Sequence, residues 1–151
     1  MLYLRVSEIA ELERDPDLGA VWFADREPTD LGHAWHAIHV LLNGSAWGGA
    51  PPLFDAVLGG TPLGDPSTYE PIRYVGPAEV EAVAEALPDP DELVPRFTHK
   101  AMKLAEAYPD SWWEEADVLT ARVLPAYAHL VQLFTDAAAA GDAVLITLDR
   151  G

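Results

Sequence analysis

The chain contains no cysteine, which excludes disulfides, thiolate metal sites, iron–sulfur clusters and cysteine nucleophiles together. Basic residues are scarce as well. Nine Lys and Arg stand against 25 Asp and Glu, a formal charge of −16 whose field repels nucleic acid and anionic lipid headgroups. Neither nucleic acid nor a membrane surface is therefore an expected partner. Long apolar runs are missing too: the longest candidate, around Ala143 to Leu148, falls far short of the ~20 residues of a membrane helix. Met1 to Val6 runs straight into acidic residues, without the apolar core of about 7–15 residues that a signal peptide carries. These absences lead us to expect a cytoplasmic protein.

What is present suits one folded unit spanning residues 1–151. Half of the 151 residues are hydrophobic, and a chain of this length buries about 68–70% of the surface it exposes when unfolded. No long polar linker divides it. Leu2, Leu4 and Val6 alternate with Tyr3 and Arg5 as in a strand, and Ser7 is placed to cap a helix from Glu8 to Arg14. Leu18 to Phe23 fits either a strand or a helix. Asp30 is placed to cap a helix through His33, Trp35, Ile38 and Leu41, with Asn43-Gly44 as its left-handed stop. Pro51 to Leu58 predicts a short helix, Ile72 to Val75 a strand, and Pro77 the first turn of a helix with Val80, Val83, Ala84 and Leu87 on one stripe. Leu93 to Tyr108 and Ser111 to Gly141 predict two further helices, the second kinked or split at Pro125. Val144 to Leu148, apolar at successive positions, predicts a strand covered on both faces. The sum is a mainly helical α+β domain with a small sheet in which both terminal strands take part and pair.

The run Leu31-Gly32-His33-Ala34-Trp35-His36-Ala37-Ile38-His39-Val40-Leu41-Leu42-Asn43-Gly44 resembles the signature of the bacterial YfbM-like family, with Trp-His-x-Ile-His-x-Leu-Leu as its specific part. Ala56-Val57-Leu58-Gly59-Gly60, Ile72-Arg73-Tyr74-Val75, Glu79-Val80, Tyr108-Pro109, Trp112 and Ala137-Ala138 follow in the same order. The resemblance runs from about Leu31 to the end, and the first thirty residues depart from it. It implies a fold. Because the family has no established activity, it carries over no catalytic residues.

Candidate site residues come from the aromatic and imidazole groups. His33, His36 and His39 recur every three residues on one predicted helix, with His36 and His33 toward its wetter side and His39 beside Trp35 and Leu42. Zinc pairs on helices more often use a four-residue spacing with an accompanying Glu, which is absent, so no metal or cofactor is expected. His39 has a structural reading, an imidazole satisfied by a backbone carbonyl or a carboxylate. It also has a chemical one, a general base in a pocket with Trp35. Rings abound elsewhere, at Trp47, Tyr69, Tyr74, Tyr108, Trp112 and Trp113. Two adjacent tryptophans cannot both face inward on a helix, so Trp112 or Trp113 is expected at a rim suited to recognition. Glu114, Glu115 and Asp117 read as charge at the start of a helix. The flexible stretch Asn43 to Gly49 fits no nucleophile elbow around Ser45, and Gly59 to Gly64 fits no phosphate loop.

Trp35, His36, His39, Tyr108, Trp112 and Trp113 are thus the expected ligand-binding residues, without a catalytic set. The functional expectation is a non-catalytic domain that binds a small ligand or a protein, such as a basic effector neutralised by the acidic surface. The alternative is a small hydrolase or transferase using His39 with a carboxylate, with or without a metal held by His36 and His39.

Overall fold

The computed structural model describes residues 1–64 and 71–148; Tyr69, among the rings noted above, lies outside them. The opening alternation becomes strand β1 (Leu2–Val6), followed by helices α1 (Ile9–Arg14) and α2 (Leu18–Asp25) and the two-residue strand β2 (Thr29–Asp30). Helix α3 (Trp35–Asn43), strand β3 (Thr61–Pro62), strand β4 (Arg73–Val75) and helix α4 (Pro77–Ala86) come next. Helices α5 (Pro90–Leu93), α6 (His99–Leu104) and α7 (Leu124–Ala140) then lead to strand β5 (Ala143–Thr147). The strands form one antiparallel sheet in the order β2-β1-β5-β4-β3.

The expected pairing of the terminal strands sets the centre of this sheet, with Leu2 opposite Thr147 and Val6 opposite Ala143. As its unbroken apolar run requires, β5 is covered on both faces. Val144 and Ile146 join Tyr3 in the larger core with α3, α4 and α7, whereas Ala143 and Leu145 join Leu4, Val6, Leu12 and Trp22 on the other side. Val80 and Val83 of α4 and Leu130, Phe134 and Ala137 of α7 are fully buried in the larger core, the stripe spacing made real. Gly141, at φ 73°, ends α7 in the left-handed conformation that glycine adopts without a Cβ penalty.

Several local expectations are corrected. Ser7 caps nothing: its hydroxyl donates to Glu8, and α1 begins without a side-chain cap. Leu18 to Phe23 is helical. Asp30 ends β2, and its carboxylate accepts from the Gly32 amide (2.8 Å), so a 3-10 turn at Gly32–Ala34 intervenes and α3 starts only at Trp35. The segment Pro51 to Leu58 holds a 3-10 turn, Leu53–Ala56. The single helix expected from Leu93 to Tyr108 is broken, because Pro95 interrupts the ladder and the Thr98 hydroxyl starts a new helix by accepting from the Ala101 amide (2.9 Å). Ser111 to Gly141 is split near Pro125 as expected, and it is also interrupted earlier. A 3-10 turn covers Asp110–Glu114, a π-helical turn covers Leu119–Val123, and Pro125 stands in the first turn of α7, where a missing N–H is harmless.

Tyr3 links strand, helix and loop. Its ring meets Phe134 edge-on at 6.3 Å, and its buried hydroxyl donates to the Ala56 carbonyl at 2.6 Å. Tyr3→Phe leaves that carbonyl without its donor, so we expect a loss of about 1–3 kcal/mol in urea unfolding with an unchanged denaturant slope.

Candidate functional site

Helix α3 has two histidines one turn apart on a face that the following loop covers. Gly44, at φ 70°, reverses the chain after Asn43, and the loop folds back so that two of its carbonyls meet the two imidazoles. His36 Nε2 lies 2.8 Å from the Ala46 oxygen and His39 Nε2 lies 2.9 Å from the Gly48 oxygen. A carbonyl only accepts, so both rings carry their proton on Nε2. Their Nδ1 atoms then accept, from the Tyr108 amide for His36 (2.9 Å) and from the Asn43 side-chain amide for His39 (3.3 Å). Gly49 completes the loop at φ 148°, where an added Cβ would stand 2.3 Å from the Asn43 amide oxygen.

Both rings are sealed, His36 at 1% exposure and His39 at 0%. This corrects the expectation that His36 faces the wetter side: the folded-back loop, not the helix phase, buries it. Burial pushes both imidazoles below their ordinary pKa of 6.5, against the opposing effect of the backbone carbonyls, and for His39 the nearby His36 adds to the lowering. With each nitrogen already bonded, neither ring presents a lone pair to a metal or to a substrate proton. Among the described residues no group of three or more His, Asp or Glu is arranged to hold a metal ion.

Outside this sealed pair lies an open pocket of about 400 Å³. Its walls are Trp35, Trp47, Tyr108 and His33, with the edge of His36 behind, Glu106 on the rim and Met1 and Leu148 on the floor. The rings touch in series: Trp47 lies 4.3 Å from His36 and 6.4 Å from Trp35, and Tyr108 lies 6.0 Å from Trp35 and 5.3 Å from His33. Trp47 and Tyr108 remain 63% and 45% exposed. A larger concavity of about 550 Å³ on the far side of the loop is lined mainly by aliphatic groups of α3 and α6, and Arg96 there donates to the Leu41 carbonyl (3.0 Å).

The structure therefore brings Trp35, His36 and Tyr108 together and separates the others. His39 is enclosed beside Phe54 and away from the pocket walls. Trp113 is corrected as a contact residue: it is 2% exposed, with its indole N–H donating to the Ala107 carbonyl at 2.7 Å. Of the adjacent pair, Trp112 is the one left half-exposed, stacked near His33 (6.2 Å) and covered by the Arg122 guanidinium at 4.8 Å. Arg122 in turn holds Glu115 with two bonds of 2.6 and 3.0 Å, and these keep that carboxyl below its usual range, unsuited to proton donation. Trp47, His33, Glu106, Met1 and Leu148 were absent from the expected binding set. Trp47 and His33 had a local signal, a large ring in a glycine loop and an imidazole on the wetter side of the predicted helix.

The arrangement is that of an α+β domain with an open, ring-lined pocket beside two buried imidazoles whose nitrogens are all hydrogen-bonded. The chain matches the family described as "Domain of unknown function (DUF1877)" over residues 2–147, and it belongs to that family. The match includes β1, which the resemblance drawn from residues 31 onward had left out. Among solved structures, the crystal structure of YfbM, a protein of unknown function from Escherichia coli, is similar with a TM-score of 0.72 at 23% identity, covering 98% of this chain and 100% of that one. This likeness establishes the fold. No curated protein matches the chain.

Two buried neutral histidines make stability depend on pH. Above about pH 6.5 the folded and unfolded rings are both neutral and the full stability is present. As pH falls below that value the unfolded chain takes up protons that the folded chain resists, so stability is lost progressively until the folded rings themselves titrate. Urea unfolding at pH 7.5 and 5.5 should show a clear loss at the lower pH, and His36→Gln combined with His39→Gln should flatten that difference.

Proposed function

We propose that this chain is a non-catalytic binding domain of the bacterial cytoplasm, and that its recognition surface is the pocket between the start of α3, the glycine loop and the Tyr108 turn. The observation that carries the reading is the open ring-lined cavity, in which Trp47 and Tyr108 stay substantially exposed although both have neighbours to pack on. Rigid amphipathic rings of this kind give large contact area with little entropy loss on binding. The volume also falls in the range of small-ligand sites, about 300–1,000 Å³. A macromolecular partner would be basic, because the charge of −16 favours encounter with positive surfaces and disfavours negative ones. Neutralisation of a basic effector is the form such a role would take. The hydrolase or transferase reading asks His39 to release both the Gly48 carbonyl and Asn43 before it could act as a base, which counts against it.

A fragment library screened by amide and indole NMR tests the reading on the intact protein. Hits should perturb the signals of Trp35, Trp47 and Tyr108, and Trp47→Ala should weaken them about tenfold or more while leaving the thermal midpoint within a few degrees. Hits that cluster elsewhere and ignore both Trp47→Ala and Tyr108→Ala would overturn it.

A further inference from the structure

We infer that the pocket takes an alkylammonium group, carried by a small organic cation such as choline. This rests on the proposed reading of the pocket as a binding site and adds the chemistry of what enters. Trp35, Trp47 and Tyr108 present ring surface to one cavity, and ring faces carry the negative end of the aromatic quadrupole, which attracts cations that shed water easily. Among the described residues no Lys or Arg lines the cavity, and the positive group that does, the Met1 ammonium, is engaged by the Gly32 carbonyl. The one carboxylate on the rim is Glu106, which makes no ion pair among the described residues.

The backbone at Glu106 strengthens the case. Its φ of 53° lies in the left-handed region, where a glycine or asparagine would sit at less cost. Two backbone bonds hold it there, from the Glu106 amide to the Lys103 carbonyl (3.1 Å) and from the Ala107 amide to the Met102 carbonyl (3.0 Å). The backbone that carries this carboxylate is thus fixed two residues before Tyr108. The Met1 ammonium, which donates to the Gly32 carbonyl (3.3 Å), repels a second cation from its end of the cavity, so the favourable place for positive charge is between the Trp47 and Tyr108 rings and Glu106. The excess of negative charge over the whole chain raises the local concentration of any cation without choosing between cations. The rings supply that choice, because they reward a weakly hydrated, methylated head over sodium or a primary amine.

The test compares choline with its uncharged carbon isostere, 3,3-dimethylbutan-1-ol, by tryptophan fluorescence and indole NMR on the intact protein. Choline should bind and shift the Trp35 and Trp47 indole signals, and the isostere should bind about tenfold more weakly. Glu106→Gln should weaken choline about threefold and leave the isostere unchanged. A peptide bearing trimethyllysine, run alongside, separates a free cation from one borne by a protein; binding of that peptide alone supports the ammonium chemistry and moves its source to a protein side chain. Equal affinity for choline and the isostere overturns the inference while leaving the pocket as a binding site. Failure of choline and peptide alike to shift the pocket signals also overturns it, and the fragment map then decides separately whether the pocket binds anything.

Discussion

The neutral imidazole of His36 is the constraint on which the pocket depends. It donates to Ala46 on one lip and accepts from Tyr108 on the other, joining segments 62 residues apart in the chain through a single ring. Each bond alone would fix one loop relative to α3; together they fix the loops relative to each other, and so set the opening between Trp47 and Tyr108. Only one tautomer of a neutral ring can do both, and protonation at Nδ1 would set an N–H against the Tyr108 N–H. Burial favours the neutral form and the two backbone partners favour its tautomer, so the same surroundings that desolvate the ring also select its working state.

His39 performs the related task one turn further along, with Gly48 and Asn43 as its partners. The loop from Gly44 to Gly49 contains little aliphatic material with which to pack against the helix, and its attachment is instead made of hydrogen bonds to the buried imidazoles of His36 and His39. Such bonds contribute modestly when made and cost more when one partner is removed. The loop is consequently held in a definite place by chemistry that leaves its Trp47 side chain free to face outward.

Much of the architecture could be read from residue patterns, and the reason is local. Alternation in Leu2 to Val6, the apolar run into Thr147, Pro77 at a helix start and Gly44 and Gly141 at helix ends each act within a few residues of themselves. The misreadings occurred where two local signals competed. Leu93 to Tyr108 carries a helical stripe, yet Pro95 and the Thr98 cap divide it, and Leu104 on that stripe ends 75% exposed. The site was legible only in part. Trp35, His36 and Tyr108 belong to motifs, but the burial of His36 comes from a loop that follows it, and although one of Trp112 and Trp113 was expected to face out, which one it is was set by the 3-10 turn that carries both. Met1 and Leu148 reach the pocket floor only because β1 and β5 pair, a contact no window of sequence contains.

The acidic surface and the aromatic pocket act over different distances. A charge of −16 works out to roughly the Debye length, about 8 Å at physiological ionic strength, and is weakened by salt. Ring contacts act only at van der Waals range and are nearly indifferent to it. On the proposed reading the first would govern which molecules approach and how fast, and the second which remain. The charge has another consequence for a molecule that leaves Trp47 and Tyr108 uncovered. Exposed rings promote association between copies, but like-charged copies repel before the rings can meet. Negative charge in excess thus opposes association through an exposed ring surface, and on the proposed reading it would do so selectively, since the same field that holds copies apart attracts positive groups.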